Sequence, residues 1–163
     1  HGRRTVATNR LVLIAPAGSS LQVRLAPGVD LAAPLGSSAR LAIADPASVP
    51  AGRYARQALS ALGAWPGVAR RLAPADNVRA ALRYVATGNA PLGIVYRTDA
   101  LADPSVRIVA QFDSRLHEPI LYPAALCRGA SPAANALLTF LTTPAARAVM
   151  RRAGFRPAPA AHP

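Results

Sequence analysis

The feature that most constrains the fold is a series of short apolar runs separated by segments with helical periodicity. The runs are rich in Val, Ile and Leu and too short for typical helices, which indicates buried strands. They are NRLVLIA (9–15), ARLAIAD (39–45), PLGIVY (91–96) and VRIVAQF (106–112). Strands that alternate with helices predict an α/β domain with a mostly parallel sheet. Ligands of such sheets bind beyond the carboxyl ends of the strands, where loops lead into helix N-termini.

Two helices are predicted between these strands. The first spans about 52–62, where apolar residues recur at spacings of three and four. The second lies within 73–88, with Asp76 as the expected N-cap and Gly88 as the C-terminal stop. The first N–H groups of each helix have no partner within the helix, so both N-termini are potential donors.

The C-terminal third is expected to be extended at first and helical afterwards. Residues 119–126 (PILYPAAL) look extended, and Pro123 suits a crossover segment better than a central strand. The dipeptides Ser-Pro at 131–132 and Thr-Pro at 143–144 each pair an N-cap residue with proline at the first helical position, which predicts two helices. The tail RPAPAAHP, which begins at Arg156, is expected to be disordered.

The net charge of +12 leaves two interpretations open. All 19 basic residues are arginine, and a basic surface would favour nucleic-acid binding. The chain also lacks lysine and is rich in Ala and Pro, which is typical of a GC-rich genome. The arginines are scattered and aromatic residues make up 5% of the chain, both of which argue against a nucleic-acid surface. A positive field still raises the local concentration of anions.

Signatures of enzymes and metal sites are missing from the sequence. The single cysteine, Cys127, excludes a disulfide or cysteine metal cluster within this sequence, and the apolar run before it predicts a buried, inert thiol. His1, His117 and His162 lie far apart, and the nucleophile-elbow, P-loop and dinucleotide-binding motifs are absent. We therefore expect a binding protein without catalysis, cofactor or side-chain metal ligands.

The sequence contains no candidate membrane helix or signal segment. No run approaches the roughly 20 apolar residues that a membrane helix needs. The first ten residues, HGRRTVATNR, lack a hydrophobic segment and read as a chain entered partway. We therefore expect no direct membrane insertion, and a portion of the protein to precede residue 1.

Helix N-termini offer a site for an anion without any charged side chain. The turn at 49–52 (VPAG) would expose the N–H of Ala51, and its small residues would let an anion approach the backbone. With Asp76 as N-cap, Val78 presents an unpaired N–H at the second helical position. Tyr96 ends the third strand and adds a neutral hydroxyl donor. The alternative is that these residues form ordinary turns, caps and core, since every α/β domain has helix N-termini near strand ends.

Several longer phrases resemble the molybdate-binding proteins of bacterial ABC transporters. The resemblance covers about 7–155, nearly the whole chain. It is carried by ATNRLVLIAP, RLAIADPASVPAGRYARQAL, LGAW, LAPADNVRAALRYVATGNAPLGIVYRTDA and FLTTPAARAVMRRAGF. The second and fourth phrases are specific to that family, whereas the last is commoner among solute-binding proteins in general.

This resemblance implies a type II periplasmic solute-binding fold that closes on the tetrahedral oxyanion molybdate or tungstate. In that family neutral donors hold the anion, and the matching positions here are the N–H groups of Ala51 and Val78 and the hydroxyl of Tyr96. The implied partner is the permease of an ABC transporter, the implied location is the periplasm, and neither a cofactor nor nucleic acid is implied.

The family's first lobe normally precedes the first strand identified above, which sets the expected domain organisation. Residues 1–8 are then a remnant of the first lobe, and 9–119 form the second α/β lobe with a mostly parallel sheet. Residues 120–156 supply a crossover strand and the C-terminal helices that pack on the first lobe, and 157–163 form a disordered tail.

Two other functions remain open from the sequence. The same fold serves as the effector-binding domain of some transcription regulators, although no helix-turn-helix is visible here. A basic nucleic-acid-binding module is the other alternative, and a steep salt dependence of DNA affinity would support it.

Overall fold

The computed structural model describes residues 3–158, which divide into two compact units. Residues 10–118 form the larger unit, and residues 3–9 and 119–158 form the smaller one. The assignment of these units to lobes of a longer protein stays a prediction.

Within residues 3–158 the chain forms eight strands and six α-helices. In chain order these are β1 (Arg4–Thr8), β2 (Leu11–Pro16), β3 (Leu41–Ala44), α1 (Pro50–Ala61), α2 (Trp65–Val68), β4 (Leu72–Ala75), α3 (Val78–Ala86), β5 (Leu92–Tyr96), α4 (Arg97–Ala102), β6 (Val106–Gln111), β7 (Leu121–Ala124), α5 (Pro132–Phe140), α6 (Pro144–Arg152) and β8 (Arg156–Pro157). Two short 3₁₀ turns, Ala33–Leu35 and Ser114–Leu116, lie in loops of the larger unit.

The larger unit is built on a five-stranded sheet with the order β4-β3-β5-β2-β6. The predicted α/β class is confirmed, but the sheet is evenly mixed rather than mostly parallel. β3 runs parallel to β4 and to β5, whereas β2 runs antiparallel to β5 and to β6. An apolar run indicates a buried strand but not its direction. A long loop segment rather than a crossover helix joins β2 to β3, so this connection does not force the two strands to run the same way.

The hydrophobic core of this unit lies against α3. One cluster contains Val12, Ile14, Ala42, Leu82, Val85, Ala90, Val95, Ala100 and Val106. Leu82 and Val85 are three apart on α3, so they share a helix face, while alternate residues of β2 point to the same side of the sheet. The apolar residues that recur at helical spacing in α3 and at strand spacing in β2 therefore pack together in one core.

Arginine side chains fix the long loop between β2 and β3. The guanidinium of Arg71 donates to the backbone carbonyl of Gly36 at 2.5 Å and to two further carbonyls of the same loop. Arg107 donates to the carbonyl of Ser19 at 2.6 Å and to that of Leu21. These carbonyls belong to loop residues that are partly buried or exposed, and the two guanidinium groups give them hydrogen-bond partners within the protein. Part of the positive charge of this chain therefore stabilises its own backbone.

The smaller unit contains a three-stranded antiparallel sheet with the order β7-β1-β8. Pro123 lies in β7, which is an edge strand of this sheet and, among the described strands, pairs only with β1. Proline has no N–H to donate to a neighbouring strand, and edge strands are where it is tolerated. Ser131 and Thr143 cap α5 and α6 by accepting from the third helical N–H, as predicted.

Two expectations for this unit are corrected. Arg156 and Pro157 pair with β1 as β8 rather than beginning a disordered tail, because their backbone completes the open edge of β1. The remainder of the predicted tail, 159–163, lies outside the described residues. Cys127 is exposed rather than buried, since β7 ends at Ala124 and the chain then runs through a surface turn.

The first turn of α1 approaches the end of β3 at Gly52. A Cβ added to Gly52 would lie 2.1 Å from the carbonyl oxygen of Ala44 and 2.5 Å from that of Asp45. Backbone atoms cannot yield as a flexible side chain does, so glycine is required here for packing rather than for its dihedral freedom.

We predict that Gly52→Ala destabilises the larger unit by at least about 2 kcal/mol, because the new methyl group must displace the backbone of β3 or α1. Gly67→Ala is the matched control, since Gly67 is also helical and an added Cβ meets nothing within 4 Å. The control should be neutral or stabilising by up to about 1 kcal/mol. Thermal and urea unfolding followed by circular dichroism would measure both, and equal stabilities would refute the close approach.

Candidate functional site

Three neighbouring parallel strands end at one edge of the larger sheet. β4, β3 and β5 lie side by side, and their last residues are Ala75, Ala44 and Tyr96. We call the edge formed by these three residues the carboxyl edge. β3 leads into α1, β4 into α3 and β5 into α4. The sequence-predicted donors Ala51, Val78 and Tyr96 all lie on these transitions, so the structure brings them to the same edge.

The N-terminus of α1 has no capping side chain. Its N-cap is Val49, which has no acceptor, and Pro50 at the first helical position has no N–H. Ala51 follows at the second position and is 3% exposed. Among the described residues, no group accepts a hydrogen bond from the Ala51 N–H. The first N–H groups of a helix have no partner within the helix, so the Ala51 N–H is available as a hydrogen-bond donor at this position.

The loop before α1 is held by Asp45. Its carboxylate accepts the N–H of Ala47 at 3.1 Å and the hydroxyl of Ser48 at 2.5 Å, while its carbonyl accepts the N–H of Val49 at 2.9 Å. The hydrogen bond from Ser48, followed by that from Ala47, lowers the pKa of Asp45 below its usual value. The loop therefore reaches Ala51 through a fixed Asx turn.

The N-cap of α3 is Asn77, so the prediction of Asp76 was wrong. Asn77 has extended backbone angles, and its Oδ1 accepts the N–H of Ala80 at 2.9 Å. Asp and Asn cap about equally well, and the strand geometry of β4 carries the chain one residue further before the helix starts. Val78 is consequently at the first helical position rather than the second, and no described group accepts a hydrogen bond from its N–H.

Tyr96 is both the last residue of β5 and the N-cap of α4. It is half-buried and lies opposite Leu11 of β2. The next residue is held as well, because the N–H of Arg97 donates to the carbonyl of Arg10 at 2.8 Å. The sheet register thus sets where the Tyr96 ring leaves the carboxyl edge.

The carboxyl edge carries helix N-termini that favour an anion and carboxylates that oppose one. No acidic residue lies in the first turn of α1 or of α3, so the positive ends of these two dipoles are not neutralised within the helices. Asp45 and Asp76 lie just before these helices, and Asp99 lies in the first turn of α4. Within residues 3–158 no group of three or more His, Cys, Asp or Glu side chains is arranged to hold a metal ion. What this edge can supply is backbone N–H groups and a phenol, the donor set for an oxyanion.

Sequence reasoning missed the residues that hold these donors. Asp45 was not predicted as a turn residue, although an Asp side chain commonly accepts the N–H two residues further on, as it does here from Ala47. Asn77 was not predicted as the N-cap of α3, because Asp76 was chosen instead. Asp99 lies three residues after Tyr96, and an acid at the third helical position is the return half of a capping box.

Comparison with known proteins identifies the family. Residues 1–156 match the family described as bacterial extracellular solute-binding proteins. The chain belongs to this solute-binding family. Members of the family bind solutes rather than catalyse reactions, in agreement with the expectation from the sequence. No helix in the described part of this family member is long and apolar enough to cross a membrane.

Two similar proteins are named molybdate-binding proteins. The molybdate-binding protein ModA of Escherichia coli (strain K12) is 40% identical over 154 residues, covering 94% of this chain and 60% of the relative. The protein of the same name from Haemophilus influenzae is 41% identical over 154 residues, covering 93% of this chain and 60% of the relative. The chain thus spans about 60% of the length of these relatives.

A solved structure of a solute-binding protein shares the fold. The substrate-binding domain of a proposed molybdenum ABC transporter from Clostridium difficile superposes with a TM-score of 0.80 at 26% identity. The superposition covers 96% of this chain and 67% of that one. The fold expected from the sequence resemblance, that of a periplasmic solute-binding protein, is therefore confirmed.

We predict that Asn77→Ala destabilises the larger unit by about 1 kcal/mol, because the Ala80 N–H loses its acceptor. Asp76→Ala is the matched control and should cost less than about 0.5 kcal/mol, as surface changes away from caps usually do. Hydrogen exchange of the Ala80 amide would locate the effect. The reverse order of the two variants would restore Asp76 as the cap.

Proposed function

We propose that this chain binds a tetrahedral oxyanion, molybdate or tungstate, through the N–H groups of Ala51 and Val78 and the hydroxyl of Tyr96. The observation that carries the proposal is the uncapped start of α1, where the buried Ala51 N–H has no acceptor among the described residues. Two relatives about 40% identical are named molybdate-binding proteins, which supports molybdate as the anion.

The donor set supports selectivity for a fully deprotonated anion. N–H and phenol O–H groups at these positions donate, and a protonated phosphate needs an acceptor for its own O–H. Hydrogen bonds to an ionised acceptor are roughly twice as strong as neutral ones. A ring of neutral donors therefore favours doubly charged oxyanions and leaves bond length to separate molybdate from sulfate.

We propose further that the bound oxyanion is delivered to the permease of an ABC transporter from the periplasm. The family description as extracellular solute-binding proteins supports this location, and the structural relative from a molybdenum ABC transporter supports the partner. A nucleic-acid function is less well supported, since Arg71 and Arg107 are engaged with backbone carbonyls.

We also propose that the two units belong to different lobes of a solute-binding protein. The larger unit corresponds to the second lobe, and the smaller unit belongs to the first. Leu137, Phe140 and Val149 on α5 and α6 are each more than half exposed, which is unusual for large apolar side chains that lie close together in sequence. This supports their role as a surface on which further residues of a first lobe pack.

An amide titration by NMR tests the anion site directly. We expect the Ala51 and Val78 amide resonances of the 163-residue chain to move with sodium molybdate and much less with sodium sulfate at the same ionic strength. New hydrogen bonds to an anion shift amide protons at the contact. Equal shifts with both salts would indicate a general anion effect rather than a molybdate site.

Ala51→Pro is the decisive variant, because it deletes the N–H itself. Ala145→Pro is its matched control, since Ala145 also follows a proline at the first position of a helix, α6. Ala51→Pro should abolish the molybdate response at Val78, and Ala145→Pro should retain it. A full response in Ala51→Pro would remove this amide from the site.

Tyr96→Phe tests the phenol without altering the ring. Losing one donor to a charged acceptor costs roughly 1.5–3 kcal/mol, so molybdate affinity should fall about tenfold or more. Tyr84→Phe is the control, because Tyr84 is on α3 and exposed. Calorimetric titration would compare the two, and unchanged affinity in Tyr96→Phe would exclude the hydroxyl as a ligand.

A further inference from the structure

A largely buried carboxylate lies between two of the helices that begin at the carboxyl edge. Asp99 is the third residue of α4, and its side chain is 14% exposed. Its Oδ2 is buried and has no hydrogen-bond partner among the described residues. Burying a charge without full compensation is costly, so the presence of Asp99 at this position needs an explanation.

The first contact of Asp99 is with the backbone of Tyr96. The carboxylate accepts the N–H of Tyr96, and Tyr96 is the N-cap of α4. A side chain at the third helical position that bonds back to the N-cap N–H forms half of a capping box. This bond fixes the backbone from which the Tyr96 ring projects.

The second contact of Asp99 reaches the start of α3. Its Oδ1 lies 3.9 Å from Nε of Arg79, the residue next to Val78. Arg79 is 89% exposed, so this ion pair is weak in energy. It nevertheless links the first turn of α3 to the first turn of α4.

Asp99 lines a cavity together with three other charged residues. A cavity of about 320 Å³ between α3 and α4 is lined by Arg79 and Arg83 from α3 and by Asp99 and Asp103 from α4 and its C-terminal end. Asp103 has its own partner, the N–H of Ser105 at 2.8 Å. Asp99 is thus the acid in this cavity that connects to the carboxyl edge.

We infer that Asp99 is a positioning residue that holds the Tyr96 and Val78 donors in their relative places without touching the oxyanion. The inference rests on the function proposed above, because it assigns Asp99 a task at that site. Donors that are fixed before binding lose less entropy when the ligand arrives.

The fold favours the protonated form of Asp99 over the ionised one. Burial raises the pKa of Asp99, against the opposing effects of Arg79 and the Tyr96 N–H. The pKa of Asp99 is thus higher in the native state than in the unfolded state. The free energy of unfolding that this difference contributes is fully present below the unfolded pKa, and it is lost as the pH rises through the native pKa. Ionisation of Asp99 therefore costs the fold stability relative to the protonated form.

Three variants of the 163-residue chain test the inference. Asp99→Ala removes the acceptor, Asp99→Asn keeps an oxygen for the Tyr96 N–H, and Asp103→Asn removes the same charge from the same cavity. We expect sodium molybdate to bind Asp99→Ala about three- to tenfold more weakly, the range of one net hydrogen bond. The other two variants should stay within about twofold of wild type.

A spectroscopic measurement without any oxyanion separates this inference from the proposed function. In the wild-type chain the Tyr96 amide shift should follow the titration of the Asp99 carboxyl, and the Tyr96 and Val78 amides should both move in Asp99→Ala. If wild type shows no molybdate response, the proposed function fails and the coupling is judged on these amides alone. Movement of both supports it, and movement of neither overturns it.

Three outcomes of the binding experiment would overturn the positioning role. Unchanged affinity in Asp99→Ala would show that the donors need no support from Asp99. Tighter binding would show that its charge repels the oxyanion instead. A loss of stability in proportion to the loss of affinity, with no rescue in Asp99→Asn, would show that the carboxylate serves the fold alone.

Discussion

The close approach of α1 to β3 at Gly52 determines where the candidate site can lie. The carbonyl of Ala44 occupies the space that any side chain at position 52 would need. The first turn of α1 therefore lies directly on the end of β3, and Ala51 is carried to the carboxyl edge. The Asx turn of Asp45 spans the short distance between strand and helix. Because Gly52 has no Cβ, α1 can pack against the end of β3 and bring the Ala51 N–H, which we propose as a ligand, to the carboxyl edge.

Most of the larger unit could be predicted from the sequence because its signals are local. β2, β3, β5 and β6 are apolar enough to stand out, and α1 and α3 carry clear helical stripes. β4 of this unit was not predicted, because LAPA is short and contains a proline. In the smaller unit β1 was not predicted either, because RTVAT alternates only weakly over five residues. The direction of β2 is set by tertiary connections that a local pattern does not encode.

The positions of Ala51 and Tyr96 at strand-to-helix transitions could be predicted from the sequence, and the resemblance names both residues as well. Their role as anion donors stays a prediction, and the residues that hold them in place were not predicted. Whether Asp76 or Asn77 caps α3 depends on a backbone angle at the end of β4, and both side chains are good caps. The ion pair of Asp99 is with Arg79, which lies 20 residues earlier on α3. The residues next to Asp99 in the sequence therefore do not identify this partner.

The proposed neutral donor set belongs to a strongly basic chain, and these two properties are compatible. Arginine fields extend over about a Debye length and raise the concentration of all anions near the protein. Guanidinium groups in contact would strengthen binding of any doubly charged oxyanion and so would discriminate poorly among them. Fixed N–H and O–H groups act only at hydrogen-bond distance, where the geometry of the anion decides the energy. Charge at a distance can then attract anions while neutral groups at contact select among them. Asp45 holds the loop before α1, and we propose that Asp99 holds the backbone of Tyr96 in the same way.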